Sequence, residues 1–398
     1  MKIAAIIAEY NPFHLGHEYH IRETKKKADA VIVIMSGNFV QRGAPAICDK
    51  YSRAMSAVKA GVDLVLELPA VYATQTADIF AHGAVNIIDN LNVVKYISFG
   101  AENPENLKPA IVNLLADESP IFKEKLKFYL NAGFSYPTSR TNALRDISGL
   151  TLSSKPNDLL GLEYLKHLRR IKSDIAPLIF KRSDNYNDAS LKDNSVSALA
   201  IRNYIFKYDF DVNVISKFVS LPMLRALCKI KNNSRFLNID DFFTEILTLI
   251  IRNGMELNEI FEMNEGLEYR FEHLIRQSDD IDSLLCKVKT KRYPMSKLNR
   301  ILINILLNIK KSDMNDILKE MPSYTRVLAF NSKGRKILKE CRKQKSKTIL
   351  IPTASTFFPQ TTAQKKAWQT DVISDRLYYA KLNLPLYYSY IKKPMMFL

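Results

Sequence analysis

The sequence predicts an α/β protein: a doubly wound parallel sheet in the N-terminal part and a mainly helical second half. Three observations carry this expectation. Short apolar runs alternate with helix-compatible segments through the first hundred residues, the pattern of a parallel sheet flanked by helices. Each run ends in a polar turn, and in such sheets ligands bind outside the carboxyl ends of the strands. Past about residue 205 glycine becomes rare and amphipathic helical patterns dominate.

Residues 3–8 (Ile-Ala-Ala-Ile-Ile-Ala) form the first strand candidate and residues 18–27 a charged helical one, with a polar turn between them. Residues 30–35 give a second strand, ending in a loop with Gly37 and Gly43. A helix over 49–60, a third strand over 62–68 closed by Pro69, a helix over 76–91 and a strand over 93–99 leading into Gly100 follow. Residues 103–150 read as helices without a motif. Pro156 and Asn157 suit a helix entry, with Asn157 read first as its cap. Residues 175–180 are another strand, followed by Lys181 and Arg182. Later helices are expected over 240–251, 267–277 and 298–309, and a strand over 348–352. The change of texture places a boundary near 208–213, giving domains of residues 1–207 and 208–398.

The first turn holds three of the six histidines: His14, His17 and His20. Histidine donors stabilise charge that builds up in phosphoryl or nucleotidyl transfer. The amides of a helix N-terminus make such a turn an anion site. Gly16 removes a side chain where a flat ring can approach, and Pro12 stiffens the entry. Two other readings stay open on residue type alone, a metal site and a structural histidine cluster. The chain contains no HExxH, Walker A loop or GxGxxG.

The net charge of +17 points to a polyanionic partner, most often nucleic acid. Basic residues thicken at 287–300 and 333–347, with Tyr293 and Tyr324 in or near these runs as candidate base-stacking rings. The solvated helix face is the alternative. Arg42, Lys50 and Arg53 are candidate cations for a triphosphate or RNA, with a plain solvated charge as the alternative reading of each. No run of eighteen apolar residues suggests a membrane span. The N-terminus lacks a signal-peptide layout, and the four cysteines form no CxxC, which fits a reduced cytoplasmic protein.

His14-Leu15-Gly16-His17 matches the HxGH signature of nucleotidylyltransferases. The longer string Ala8-Glu9-Tyr10-Asn11-Pro12-Phe13-His14-x-Gly16-His17 resembles the bacterial tRNA(Met) cytidine acetate ligase family. Gly37 to Gly43, Asp49 to Ala54, Glu67 to Pro69, Phe99 to Glu102 and the Pro156-Asn157 string resemble further motifs of that family. Ser195 to Arg202 is similar to an ISSTxIR-type helix start, although Ala198 and Leu199 stand where hydroxyls are expected. Tyr186-Asn187-Asp188 departs from an expected Y-H-D.

The resemblance implies a Rossmann-like parallel sheet of nucleotidylyltransferase type and a helical, basic, tRNA-binding C-terminal part. It implies an ATP-dependent acetate ligase that forms N4-acetylcytidine at the wobble position of elongator tRNA(Met) through acetyl-adenylate. His14 and His17 are then the catalytic pair. The ATP site it implies comprises Ile7, Ala8, Glu9, Tyr10, Asn11, Pro12, Phe13, His14, Leu15, Gly16, His17, Glu18, Tyr19 and His20, with Gly100, Asn157 and Arg182. ATP is the co-substrate, with magnesium as its expected companion, although no carboxylate pair identifies itself as the ligand set. Two other classes stay open: a small-molecule nucleotidylyltransferase, and a non-catalytic RNA-binding protein on the same fold.

Overall fold

The computed structural model describes residues 1–182, 196–233 and 235–397. Its first half follows the expected alternation. The elements run β1 (Ile3–Ala8), α1 (Leu15–Lys25), β2 (Ala30–Ser36), α2 (Lys50–Lys59), β3 (Leu64–Leu68), α3 (Ala77–Asn90) and β4 (Tyr96–Ala101). After three helices within 109–148 come α4 (Pro156–Arg170) and β5 (Ala176–Lys181). The strands β1 to β5 are mutually parallel where they pair.

Both sheet faces are covered, so the strands read as unbroken apolar runs. Alternate residues serve two cores. Ile32, Ile34, Leu64 and Leu66 share one core with Phe80 and Ala84 of α3 and Leu162 of α4. Val31, Val33, Met35 and Val65 pack with Ala54, Ala57 and Val58 of α2 and with Ile201 and Ile205 of α5 (Ala198–Tyr208).

The second half is mainly helical from 212 to 319, as expected, but it also completes the sheet. β6 (Tyr324–Asn331) runs antiparallel beside β3, α6 (Ser332–Lys343) follows, and β7 (Ile349–Ile351) lies parallel on β6. After α7 (Thr362–Lys381), β8 (Met395–Phe397) also pairs with β6. The strand order is β8-β6-β3-β2-β1-β4-β5, with β7 on β6. The sheet therefore takes strands from both sides of residue 207.

A buried charge cluster fixes this union. Lys50 Nζ donates to both Glu67 oxygens at 2.7 and 2.9 Å and to Asp375 at 2.8 Å. Arg326 Nη1 donates to the same Asp375 oxygen at 2.7 Å. The cluster joins α2, β3, β6 and α7. Gly43 adds a second junction. Its φ is +74°, and a Cβ there would lie 2.4 Å from the backbone of Asn299, so the loop after β2 sits flush against the helical segment.

Candidate active site

The turn between β1 and α1 is held by its backbone. Tyr10 has a φ of +51°, and Asn11–Pro12 is a cis peptide. Arg53, fully buried, donates to the carbonyl oxygens of Glu9 at 2.6 Å, Cys48 at 3.0 Å and Ser36 at 3.1 Å, and to that of Gly37. Arg202 Nη1 donates to Asn11 O at 2.5 Å. Asn11 Oδ1 accepts from Ile47 N at 2.8 Å, and Glu9 Oε1 from Gln41 N at 3.0 Å. Burial, with Arg42 nearby, lowers the Arg202 pKa to about 10, while Glu9 acts the other way. The guanidinium still carries its charge at neutral pH.

His14 caps α1, and it does so reciprocally with His17. His14 Nδ1 accepts from Gly16 N at 3.0 Å, and His17 Nδ1 accepts from His14 N at 3.2 Å. A ring nitrogen that accepts an amide hydrogen bears no proton, so in both rings Nε2 is the protonated nitrogen. The rings stack with centroids 3.7 Å apart and planes 30° apart. Tyr10 meets the His17 ring edge-on at 4.8 Å. Burial, and then the proximity of His14, Arg182 and His20, holds the His17 imidazole well below its ordinary pKa. The turn thus presents two oriented N–H donors that need no imidazolium.

The helix amides do not share this task. Leu15 N donates to Phe218 O at 2.9 Å, Gly16 N is taken by His14 Nδ1, and His17 N reaches His14 O at 2.9 Å. The sequence expectation of an amide-built anion site fails here because the capping histidine and a loop from the second half use those donors first.

The other sequence-predicted positions divide. Ile7 and Ala8 end β1, half-buried; Pro12 and Phe13 are buried beneath the turn; Gly16 is exposed and Glu18 half-buried. Leu15 and Tyr19 point to solvent at 44% and 53% exposure, Tyr19 with Arg22 over its ring at 5.3 Å. His20, one turn after His17, reaches β4: its Nε2 lies 2.8 Å from Ser98 Oγ. Gly100 is on the same strand, and a Cβ there would sit 2.8 Å from Arg182 Cγ, so the arginine stem crosses the space the glycine leaves. Arg182 N donates to Ala101 O at 2.8 Å. Asn157 is not the cap of α4, because Lys155 occupies that position; its Nδ2 donates to Glu102 Oε1 at 2.6 Å, just past β4. Gly100, Asn157 and Arg182, far apart in sequence, therefore meet around the ends of β4 and β5. Ser195 and residues 186–188 lie outside the described residues. Ser197 is the cap of α5, accepting from Ala200 N.

Two of the candidate cations lie inside the fold. Lys50 and Arg53 are neither ligands nor solvated; both are fully buried and bonded within the fold. Tyr324 and Tyr293 do not offer free rings, since both are buried with hydroxyls on Asp371 and Glu265. Arg202 and Arg53 were the support residues that sequence reasoning did not assign. Their only signal was the Arg of each helix start, which does not reveal that it points inward.

Among the described residues no set of three or more histidine, cysteine or carboxylate ligand atoms converges at this turn. Glu9 accepts from Gln41 N, and Glu102 from Asn157 and Asp158 N. Elsewhere Asp78, Glu163 and His167 bring ligand atoms within 4.8 Å of one another. Lys166 already stands there, 2.6 Å from Asp78 and in contact with Glu163, and Arg140 pairs with Glu163 at 2.5 Å. That cluster has its own cations.

Comparison with known proteins agrees with the geometry. The family model described as HIGH Nucleotidyl Transferase matches residues 1–389. A tRNA(Met) cytidine acetate ligase of Clostridium perfringens (strain SM101 / Type A) is 40% identical over 367 residues, 88% of this chain and 89% of that protein. This chain belongs to the tRNA(Met) cytidine acetate ligase family. Another family member, from Thermoanaerobacter sp. (strain X514), is 38% identical over 391 residues, 95% of each chain. The crystal structure of Thermotoga maritima TmcAL bound with alpha-thio ATP matches all of this chain and 99% of that one, with a TM-score of 0.91 at 30% identity. The acetate ligase family thus carries the whole architecture, including the strands contributed after residue 207.

Proposed function

We propose that this chain is an ATP-dependent acetate ligase that forms N4-acetylcytidine at the wobble position of elongator tRNA(Met). The observation that carries the reading is the reciprocal cap of His14 and His17, which aims two Nε2–H donors from one turn. Family membership supplies the substrates: the relatives are named for tRNA(Met), cytidine and acetate, and the Thermotoga structure for an ATP analogue.

Acetate is a poor acyl donor because oxide would have to leave. In the first step its oxygen attacks the α-phosphorus of ATP; the new O–P bond replaces the bond to pyrophosphate, which departs. His14 and His17 donate to phosphate oxygens as charge shifts onto them. Preorganised donors act without reorganising during the reaction, and the stacked, capped rings meet that condition. In the second step the cytidine N4 attacks the acetyl carbonyl, the C–O bond to AMP breaks, and N4 loses a proton. Activation thereby divides one difficult substitution into two easier ones.

The backbone from Ile7 to His20, with Gly100, Asn157 and Arg182, is assigned to the nucleotide. Magnesium is assigned to the triphosphate rather than to a protein cage. Residues 1–207 are assigned the adenylation chemistry and 208–398 the tRNA. For the latter, α6 is the favoured surface. Gly334, Ile337 and Cys341 face the sheet, while Arg335, Lys336, Lys339, Arg342 and Lys343 are exposed and form no ion pair with a described residue. The run at 287–300 is partly committed, since Arg300 and Arg292 pair with Glu262 and Glu265. Among the described residues, no helix is long and apolar enough to cross a membrane. A cytoplasmic setting, where tRNA is found, is assigned with the function.

Incubation with ATP, acetate and tRNA tests the proposal. Acetate-dependent AMP and N4-acetylcytidine in the digested tRNA are expected. AMP release without acetylcytidine, or neither product, would overturn it.

A further inference from the structure

His20, Ser98 and Thr24 form a closed set of contacts with one proton arrangement. Thr24 Oγ1 lies 2.8 Å from His20 O, Ser98 Oγ lies 2.7 Å from Thr24 Oγ1, and His20 Nε2 lies 2.8 Å from Ser98 Oγ. A carbonyl oxygen only accepts, so the Thr24 hydroxyl donates to it. The single Thr24 proton being used, Ser98 must donate to Thr24. Ser98 then has no proton left for the ring and accepts from His20 Nε2–H. Any other assignment leaves two of these buried or half-buried atoms facing each other without a proton, and an unmade hydrogen bond between buried groups is costly.

The consequence falls on the far side of the ring. With Nε2 protonated, a neutral His20 has its lone pair at Nδ1, and no described residue is hydrogen-bonded there. Burial, and next the charge of Arg182, lowers the pKa of His20 to about 4, so the ring is neutral at physiological pH. Phe180 packs edge-on against it at 5.6 Å, fixing its plane. The site then has opposed polarities along one helix: Nε2–H donors on His14 and His17, and one turn later an acceptor.

We infer that His20 Nδ1 accepts a hydrogen bond from an N–H or O–H donor of a nucleotide bound at this turn, and that Ser98 and Thr24 are the positioning residues that hold its tautomer. This rests on the functional reading above for the identity of the nucleotide. Two sources carry that chemistry, a ribose hydroxyl or exocyclic amine of ATP, and the cytidine N4 amine.

The lock is tested without any ligand. Protein labelled with ¹⁵N in its histidine rings, observed by long-range ¹H–¹⁵N correlation at pH 7, should show His20 Nδ1 unprotonated and Nε2 protonated. Ser98→Ala should shift the ring towards a mixture of tautomers. A protonated Nδ1 in the unsubstituted protein overturns the inference. The role is tested with His20→Gln, whose amide nitrogen replaces Nε2 towards Ser98 but leaves nothing at Nδ1, and with His20→Asn, which restores an acceptor oxygen near Nδ1. The Gln variant should lose about tenfold in turnover with its melting midpoint unchanged, and Asn should recover part of that. Loss already present in acetate-dependent ATP–pyrophosphate exchange assigns the donor to ATP. Loss confined to tRNA acetylation assigns it to the cytidine. Full activity of His20→Gln in both assays overturns the role. If the unsubstituted protein shows neither reaction, the functional reading has failed, and the tautomer measurement still decides the lock.

Discussion

The imidazoles of His14 and His17 stand 3.7 Å apart, and each gives its Nδ1 to a backbone amide of their shared turn. The arrangement converts a helix cap into a pair of aligned donors. Substituting His14 by Ala removes one donor and also frees Gly16 N. Pyrophosphate exchange should fall by about 10²- to 10³-fold, the usual cost of one such donor. Binding of tRNA, measured by filter retention at fixed salt, should change little. An equal loss of both would remove the separation between chemistry and tRNA holding.

Arg202 reaches Asn11 O from a helix nearly two hundred residues later. Arg202→Met keeps much of the apolar stem but removes the donor, leaving a carbonyl of the catalytic turn unsupported. A charged hydrogen bond contributes about 1.5–3 kcal/mol. ATP affinity, followed by calorimetry, should weaken by roughly tenfold or more. Unchanged ATP affinity would show that the turn is held without this brace.

Asp371 gives a pH dependence with a definite sign. Burial, and then the charge of Glu67, raises its carboxyl to about 7 in the folded chain, from an ordinary value of 3.8. Between about pH 4 and 7 the folded state therefore binds more protons than the unfolded one. This group's contribution to stability is complete below pH 4 and is lost as pH rises through 7. Asp371→Asn should remove that part of the slope while keeping the acceptor for Ala70 N. Urea unfolding at pH 5, 6, 7 and 8 measures it. An identical slope in both proteins would contradict the assignment.

The exposed face of α6 should report itself through salt. Replacing Lys336 and Lys339 by Glu should weaken tRNA binding and flatten the dependence of log affinity on log salt by about one unit per lost phosphate contact. Pyrophosphate exchange, which needs no tRNA, should be unaffected. An unchanged salt slope would move the tRNA surface elsewhere.

The cluster of Lys50, Glu67, Arg326 and Asp375 should be intolerant of single deletions. Lys50→Met leaves two buried carboxylates sharing one guanidinium, and breaking such a network costs about 3–5 kcal/mol. The denaturant midpoint should fall accordingly, with the loss reported equally by probes in both halves of the chain. Unfolding in two separate steps would show that the halves are not welded here.

Much of the first half was legible because its signals are local. Apolar runs, polar turns and helix periodicity sit within a few residues of one another, and β1 to β5 and the helices between them follow that reading to within a few positions. The histidine turn was legible for the same reason. The strand Tyr324–Asn331 was not, because a buried Arg326 interrupts its apolar pattern and only the distant Glu67 and Asp375 neutralise it. The roles of Lys50, Arg53 and Arg202 were hidden likewise: a lysine or arginine in a sequence looks the same whether it meets water or three carbonyls.

The sequence by itself determined the order of elements and the chemical identity of the turn, since both follow from neighbouring residues. Tertiary structure alone decided which way the charges face, that the sheet is completed from beyond residue 300, and which nitrogen of the His20 ring carries its proton. Those properties depend on partners tens to hundreds of residues away, and only a folded chain brings such partners within hydrogen-bonding distance.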